Sequence, residues 1–252
     1  MKTVTRPELA ALLRDLGIRR GDGLMVHSAL QFLGQPEGGP QLFLQALLEA
    51  VGPQGTLAVP AFNFGFARGL AYDPANTPSA QMGVLSELVR CHPQARRTPH
   101  PLQSLAVIGR WSDDLAGRDT PCAFDPGSAF ERLLELDFKL LLLGADVYAV
   151  SMVHYCEQRA GVPYRSWKDF TGPIVSGSRS ETRTYRMFAR DLQLDPHLTL
   201  APVEARLKRQ GLWSERPLNY GRLAVCRLRD FVATADGLLA ADPWSLVENR
   251  PT

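Results

Sequence analysis

The segment SMVHYCEQRAGVPYR, residues 151–165, places a histidine, His154, three positions before a glutamate, Glu157. On a helix, residues at this spacing share a face, so both side chains can point into one cleft. Histidine accepts a proton near neutral pH, and a nearby carboxylate raises its basicity and fixes its tautomer. The pair therefore indicates a general base with its orienting group. A solvated helix face that carries both residues without any chemistry fits the same spacing.

A second candidate is ARRTPHPLQS, residues 95–104, which contains Arg97, His100 and Ser104. An arginine pairs well with phosphate or carboxylate groups, and the two prolines around His100 restrict the backbone there. Such rigid positioning fits a binding site. A surface turn with solvated arginines and a hydrogen-bonded histidine is the alternative.

A third candidate is MVHSALQFLGQPEGG, residues 25–39, where an apolar run turns polar and a helix follows. Backbone N–H groups at such a turn can bind an anion such as pyrophosphate. The segment carries neither GxxxxGK[ST] nor GxGxxG, so it is not one of the common nucleotide loops. A plain connection between a strand and a helix is the alternative.

Two further chemistries have weak support. Cys156 could act as a nucleophile with His154 or His100, but residues two apart on a helix point to different faces. His154, Glu157 and His100 could bind a metal, since histidine and carboxylate are common zinc ligands. The sequence has no HExxH and no further histidine at ligand spacing, so we predict no metal site.

Short apolar runs and intervening helical patterns must position these groups. The runs LMVH, GTLAVP, SLAVIG and FKLLLLG are typical of strands, and the first two flank the helical pattern PQLFLQALLEAVG. This order predicts a βαβ unit, and hence an α/β fold with a mostly parallel sheet between helices. Ligands bind beyond the carboxyl ends of strands in such sheets, which favours chemistry at His154.

The remaining segments predict that residues 1–252 form a single domain, and the sequence contains no internal repeat. We expect a core of about residues 1–165, followed by an α+β extension of about residues 166–252. The extension contains a predicted hairpin in GPIVSGSRSETRTYRMFAR and helices in PVEARLKRQG and after RLAVC. Residues 60–81 are rich in glycine, proline and aromatics without a regular period, which is typical of a functional loop.

Charge and composition narrow the class of partner. The net charge is +2 over 252 residues, too small to indicate nucleic acid or an anionic membrane. No run approaches a membrane span or a secretory leader, and the four cysteines lack CxxC spacing. We therefore expect a cytoplasmic protein with free thiols that acts on a small molecule. The sequence leaves the oligomeric state open, with a homodimer as one option.

Seven motifs occur in consistent order between Val4 and Arg165, and together they resemble the aminoglycoside 3-N-acetyltransferase family. They are VHSALQFLG with the following GG, GTLAVPAFNF, MGVLSELVR, ARRTPHPLQSLAVIG, GSAFERL, LLLLG and HYCEQRAGVPYR. The resemblance implies a three-layer α/β/α core and acetyl transfer from acetyl-CoA to an amine of an aminoglycoside or amino sugar. It also implies a connection with antibiotic resistance.

The resemblance also implies roles for individual residues. The histidine of HYCE, His154, is the base at the acceptor amine, without a covalent acetyl-enzyme, and Glu157 supports it or holds the cationic substrate. The coenzyme channel is lined by the two other segments, through Ser28, Ala29, Leu30, Gln31, Arg97, His100 and Ser104. Asp146, near the same strand end, is a second carboxylate that could attract a cationic amino sugar.

The chain departs from the family at two of these positions. Family members often read HSSLR where this chain reads HSALQ, so Ala29 and Gln31 remove a hydroxyl and a cation from the expected coenzyme site. Other hypotheses are an acyl-CoA enzyme of the same fold that acts on a biosynthetic amino sugar or other small amine, and a non-catalytic CoA-binding module. A metallohydrolase is the third alternative.

Overall fold

A seven-stranded sheet lies at the centre of the computed structural model, which describes residues 2–250. The strands are β1 (Thr3–Val4), β2 (Gly23–Ser28), β3 (Gln35–Pro36), β4 (Thr56–Pro60), β5 (Arg96–Arg97), β6 (Leu105–Gly109), β7 (Lys139–Leu143), β8 (Arg165–Ser176), β9 (Arg179–Arg190), β10 (Ser214–Leu218) and β11 (Gly221–Arg227). The helices are α1 (Arg6–Asp15), α2 (Gln41–Val51), α3 (Gly83–Arg90), α4 (Ser112–Ala116), α5 (Ala129–Glu135), α6 (Val153–Ala160), α7 (Ala201–Arg209) and α8 (Leu228–Ala241). Short 3₁₀ helices span Leu30–Phe32, Phe66–Arg68 and Val147–Ala149.

The central sheet has the order β10-β11-β7-β2-β4-β6-β5. Five of its strands run in one direction, whereas β6 and β11 run against them. The α/β class and the predicted β2-α2-β4 unit are confirmed. The predicted parallel pairing is wrong toward both edges, because the parallel pairs of this sheet are β2 with β4 and β2 with β7. At one edge, β6 lies between β5 and β4, and at the other edge β11 lies between β10 and β7. Both β6 and β11 are antiparallel to their two neighbours.

Helices cover both faces of this sheet, which confirms the three-layer architecture. Leucines alternate along β7, so that Leu141 and Leu143 face the core formed with α1, α2 and α3. Leu140 and Leu142 face the core formed with α5, α6, α7 and α8. All four are fully buried, as expected for a strand covered on both sides.

Two of the predicted helix starts are present. Thr5 caps α1 with both hydrogen bonds of the capping box, to and from Glu8. Ser128 caps α5 by accepting a hydrogen bond from the Glu131 N–H at 3.3 Å. These caps fix helix starts before any tertiary contact is made.

The predicted hairpin consists of β8 and β9, which pair over twelve positions and turn at Gly177 in the left-handed region. One side of it packs on the irregular segment after β4, where Phe66, Tyr72, Leu102 and Tyr185 form a small core. The segment 61–82 is therefore fixed between the sheet and the hairpin.

The C-terminal extension does not form a separate body. Its strands β10 and β11 complete the central sheet next to β7, and α8 packs against α6. The boundary near residue 165 therefore separates the hairpin from the core but does not divide the sheet. Among residues 2–250, no helix combines the length and the apolar character needed to cross a bilayer.

Candidate active site

Helix α6 holds the histidine and glutamate at the carboxyl end of β7. It follows the 3₁₀ helix Val147–Ala149 and ends at Gly161 in the left-handed conformation. His154 Nδ1 lies 2.7 Å from Glu157 Oε2, so the two side chains share one face of the helix as predicted. With the Nδ1 proton directed at the carboxylate, Nε2 is left to accept a proton.

Glu157 is fully buried and has a second partner, an arginine, that the sequence reasoning missed. Arg165, the first residue of β8, places Nη2 at 2.9 Å from Glu157 Oε2 and at 3.1 Å from His154 Nδ1. Burial alone would raise the pKa of Glu157, but hydrogen bonds and charge from His154 and Arg165 lower it. The carboxylate is therefore ionised. Both contacts end on Oε2, while Oε1 is buried without a hydrogen-bond partner within residues 2–250. Arg165 ends the motif HYCEQRAGVPYR, which was the signal available in the sequence.

His154 borders two cavities. One, the strand-end cleft, has a volume of about 470 Å³ and lies beyond the ends of β2 and β4, against residues that include His27, Ser28, Gln31, Phe62, Met82 and Val150. The other, the hairpin cavity, has a volume of about 380 Å³ and is lined by His154, Glu157, Tyr164, Arg165, Arg190, Pro196, His197 and Leu198. The histidine thus stands where a molecule in one cavity could meet a molecule in the other.

His27 is a lining residue of the strand-end cleft that the sequence reasoning did not select. Burial, and then electrostatic interaction with the neighbouring His154, lower the pKa of His27 to about 3, so the imidazole is neutral at physiological pH. Its Nε2 atom is buried and has no hydrogen-bond partner within residues 2–250. The signal was a polar residue at the end of an otherwise apolar strand.

The predicted phosphate-binding turn is only partly directed at the cleft. Ser28 and Gln31 line it. The Ala29 N–H donates instead to the Leu143 carbonyl at 3.0 Å, and Leu30 packs against the core beside α1 and α2. Among residues 28–31, the cleft is therefore lined by Ser28 and Gln31, whereas the Ala29 N–H already has a partner within the protein.

Arg97 and Ser104 contact each other, as predicted neighbours in one segment could. They lie against the buried backbone of the segment 61–82 and not in the cleft beside His154. The Arg97 guanidinium donates to Ser104 Oγ at 2.9 Å and to the carbonyls of Ala61 and Thr77, and it stacks on the Tyr72 ring at 5.1 Å. Ser104 is fully buried and donates its hydroxyl to the same Ala61 carbonyl at 2.9 Å. Their polar groups therefore hold the loop, and neither residue is among those that line the two cavities beside His154.

His100 is likewise a buried residue. Its Nδ1 accepts the Gln103 N–H at 3.2 Å, and its ring packs edge-on against Tyr185 of β9. Burial lowers its pKa to about 4. The structure places it between the loop and the hairpin, outside the lining of both cavities beside His154.

Asp146 caps the 3₁₀ helix that precedes α6. Its carboxylate accepts the Tyr148 N–H at 3.1 Å and lies 4.0 Å from Arg222 Nη2. It is exposed near the rim of the strand-end cleft, since Tyr148 lines that cleft. The carboxylate already has two partners.

The thiol and metal alternatives find little support in the geometry. Cys156 is fully buried, and burial raises its pKa well above the usual range, so a thiolate does not form there. Within residues 2–250, no three histidine, cysteine, aspartate or glutamate side chains are grouped as ligands of a metal ion.

Comparison with known proteins decides the family. The family model described as aminoglycoside 3-N-acetyltransferase matches residues 25–240. The chain belongs to the aminoglycoside 3-N-acetyltransferase family. It is therefore an enzyme of the acyltransferase class, which confirms the resemblance seen in the sequence. Aminoglycoside N(3)-acetyltransferase IV from Salmonella sp is 31% identical over 245 residues, covering 94% of this chain and 88% of the relative.

Solved structures of family members have the same architecture. A histidine-to-alanine mutant of aminoglycoside acetyltransferase AAC(3)-IVa, in complex with a gentamicin, is 29% identical with a TM-score of 0.81, covering 98% of this chain and 92% of that one. AAC-IIIb in a binary complex with CoASH has a TM-score of 0.85 at 24% identity, covering 95% of this chain and 97% of that one, which shows the shared fold.

Proposed function

We propose that this family member transfers an acetyl group from acetyl-CoA to an amino group of an aminoglycoside or a related amino sugar. The observation that carries the proposal is the position of His154, which borders both the strand-end cleft and the hairpin cavity. One cavity can receive the thioester and the other the amine. The CoASH and the gentamicin in the two related structures support these two ligand classes.

The strand-end cleft fits the acyl-bearing arm of the coenzyme. Its walls combine apolar side chains such as Phe62 and Val150 with the polar groups of Ser28 and Gln31. Apolar walls suit the pantetheine chain, and the polar groups can hydrogen-bond its amides or a phosphate. Arg97, His100 and Ser104, which the sequence placed in the channel, act in this proposal by fixing the loop that forms one side of the cleft.

His154 acts as the general base. A protonated amine cannot attack a carbonyl, so a proton must leave as the amine approaches the thioester carbon. Nε2 of His154 takes this proton, while the ionised Glu157 stabilises the imidazolium through Nδ1. The carbon–nitrogen bond forms as the carbon–sulfur bond breaks. The ammonium group of the acceptor loses two protons in all: one passes through His154 to the departing thiolate, and the other is released to solvent.

No covalent acetyl-enzyme takes part in this mechanism. The cysteine nearest to His154 along the chain, Cys156, is buried as a neutral thiol. Glu157 Oε2 contacts both His154 and Arg165, and its other oxygen, Oε1, is buried. The acetyl group therefore passes directly between the two substrates.

The organisation of the protein is part of the same proposal. Residues 1–252 act as a single acetyltransferase domain, since the strands of the extension complete the core sheet. The four cysteines are unpaired, which suits a reducing cytoplasm. A homodimer stays a prediction from the sequence, and light scattering of the purified protein measures it.

The test is turnover with defined substrates. The purified protein is incubated with acetyl-CoA and, separately, gentamicin, glucosamine and a panel of other amines. We expect release of free thiol that depends on the amine, together with an N-acetylated product by mass spectrometry. Binding of CoA without thiol release on any amine would identify a non-catalytic CoA-binding module instead.

A further inference from the structure

One histidine in the wall of the strand-end cleft has a polar atom that the protein itself does not satisfy. His27 lies near the end of β2, is 5% exposed, and lines the same cleft as His154. Its Nε2 atom is buried and has no hydrogen-bond partner among residues 2–250. A buried polar atom without a partner is rare in folded proteins and costs stability, so its presence requires an explanation.

Strand register places His27 on the side of the sheet that carries the proposed base. Side chains alternate along β2, and Met25, two residues earlier, packs in the core formed with α5, α6, α7 and α8. His27 is paired with Leu142 of β7, which packs in the same core. Two central strands therefore hold the imidazole on the face of the sheet that α6 covers.

The other buried polar side chains of the cleft do not share this feature. Three such side chains line it, namely His27, Ser86 and Ser151. Ser86 donates its hydroxyl to the Met82 carbonyl at 3.0 Å, within its own helix. Of the three, only His27 has a buried polar atom that lacks a partner in the part of the chain that the structure describes. The unsatisfied atom therefore occurs in the cleft at the residue that neighbours His154 electrostatically.

The charge state of His27 suits a hydrogen-bond donor and does not suit a second base. Burial, and then electrostatic interaction with His154, lower its pKa to about 3, so the imidazole is neutral at physiological pH. A neutral imidazole carries one N–H, which can polarise a carbonyl group. It also adds no positive charge beside the imidazolium that His154 becomes when it takes the amine proton. A cationic His27 would oppose that proton transfer.

We propose that His27 is a second catalytic residue, which donates a hydrogen bond from Nε2 to the carbonyl oxygen of the acetyl thioester. The inference rests on the proposed acetyl transfer, in which the thioester lies in the strand-end cleft beside His154. As the amine attacks, negative charge grows on this oxygen, and a fixed, buried donor stabilises it. The carbonyl double bond forms again as the carbon–sulfur bond breaks, and the imidazole keeps its proton throughout.

Two substitutions test this role through catalysis. His27→Leu removes the donor and should lower kcat by roughly 10²–10³-fold, as loss of one oxyanion donor does. His27→Gln can place an amide N–H near the position of Nε2 and should recover about tenfold or more of that loss. The dissociation constant of CoA, which has no acyl carbonyl, should stay within about threefold in both variants.

The pH dependence of kcat separates a contact with the carbonyl from an effect through His154. The midpoint of this profile should be the same in His27→Gln and the wild type, because one neutral side chain replaces another. Met25→Leu is the control for repacking of β2, since Met25 shares the face of the strand but does not line the cleft. It should leave kcat within about twofold.

The carbonyl stretch of bound acetyl-CoA provides a test that needs no amine. Acetyl-CoA labelled isotopically at the carbonyl carbon is bound to the wild type, to His27→Leu and to His27→Gln, and infrared difference spectra are recorded. A hydrogen bond to the oxygen weakens the carbonyl bond. The stretch should therefore lie at a lower wavenumber in the wild type than in His27→Leu, with His27→Gln between them.

Two results overturn the inference. An equal carbonyl stretch in the wild type and His27→Leu would show that Nε2 has another partner, such as an ordered water. A kcat of His27→Leu within about fivefold of the wild type would show that the contact does not contribute to catalysis. If no amine releases thiol from the wild type, the proposed function fails, and the carbonyl stretch still decides whether His27 contacts the thioester.

Discussion

His154 Nδ1 lies 2.7 Å from Glu157 Oε2, and the same oxygen lies 2.9 Å from Arg165 Nη2. The carboxylate therefore joins a partly exposed imidazole to a nearly buried guanidinium. Contacts with His154 and then Arg165 lower the pKa of the carboxylate and keep it ionised, and the carboxylate orients the histidine. This oxygen atom thereby connects helix α6 to strand β8.

Replacement of His154 tests the base directly. His154→Ala should lower kcat by roughly 10²–10⁴-fold, because no group remains to take the amine proton. The dissociation constant of CoA, measured by calorimetry, should change little. His92→Ala, in the turn after α3, serves as the control. Near-normal acetyl transfer by the His154 variant would show that another group is the base.

Replacement of Glu157 should affect both catalysis and stability. Glu157→Gln keeps the shape but leaves Arg165 with an uncompensated buried charge, which should cost about 3–5 kcal/mol in free energy of unfolding. It should also lower kcat by roughly 10²-fold or more, as loss of an orienting carboxylate does in catalytic triads. Urea denaturation and steady-state kinetics measure the two effects.

The double variant Glu157→Gln, Arg165→Met separates these effects. It removes the stranded charge and should recover part of the stability, whereas kcat stays low because the imidazolium still lacks its partner. Recovery of kcat in the double variant would contradict the orienting role of Glu157.

Arg97 distinguishes loop support from coenzyme binding. Arg97→Lys cannot reproduce the fork of contacts to Ala61, Thr77 and Ser104, and should lower the free energy of unfolding by about 2–3 kcal/mol. CoA affinity should stay within about threefold. The neighbouring Arg96→Lys is the control, since Arg96 forms an exposed ion pair with Asp113. An unchanged stability with a tenfold loss of CoA affinity would make Arg97 a phosphate ligand.

The buried histidines predict a loss of stability in mild acid. Burial lowers the pKa of His27 to about 3 and of His100 to about 4, whereas the unfolded residues titrate near the ordinary histidine value of 6.5. As pH falls below 6.5 the unfolded chain takes up protons that the folded chain does not, so stability is lost until the folded pKa is reached. Each histidine should lower the free energy of unfolding by about 2 kcal/mol between pH 7 and pH 5.

A pH series of urea denaturation measures this effect. His100→Gln removes one titrating group and should reduce the acid-dependent loss by about half, whatever its stability at pH 7. An unaltered loss in the His100 variant would show that other groups titrate in this range.

The sequence predicted the elements better than their pairing. The runs LMVH, GTLAVP, SLAVIG and FKLLLLG are strands because they are short, apolar and bounded by turn residues. The antiparallel position of β6 could not be predicted, because it depends on β5, an edge strand of two residues, Arg96–Arg97. Two residues are too few to show the alternation of apolar and polar side chains that marks a strand. Only the pairing with β6 defines β5 as a strand.

Local spacing also predicted the histidine–glutamate pair on α6. It did not predict where the other candidate site residues lie. His154 and Glu157 meet because three residues along a helix return to the same face, which the sequence alone dictates. Arg97, His100 and Ser104 belong to a segment whose polar groups could point outward or inward. Their burial depends on the hairpin and the segment 61–82 that pack around them.

By itself the sequence determined the family, the α/β class and the histidine–glutamate pair, because short-range period, capping and motif order are properties of neighbouring residues. Only the tertiary structure decided that Arg165 completes the pair, that His27 faces the cleft, and that Arg165 and Arg190 meet across the hairpin. These relationships join segments distant along the chain or depend on strand register. Burial, which sets the charge state of His27 and Glu157, arises only when the layers pack together.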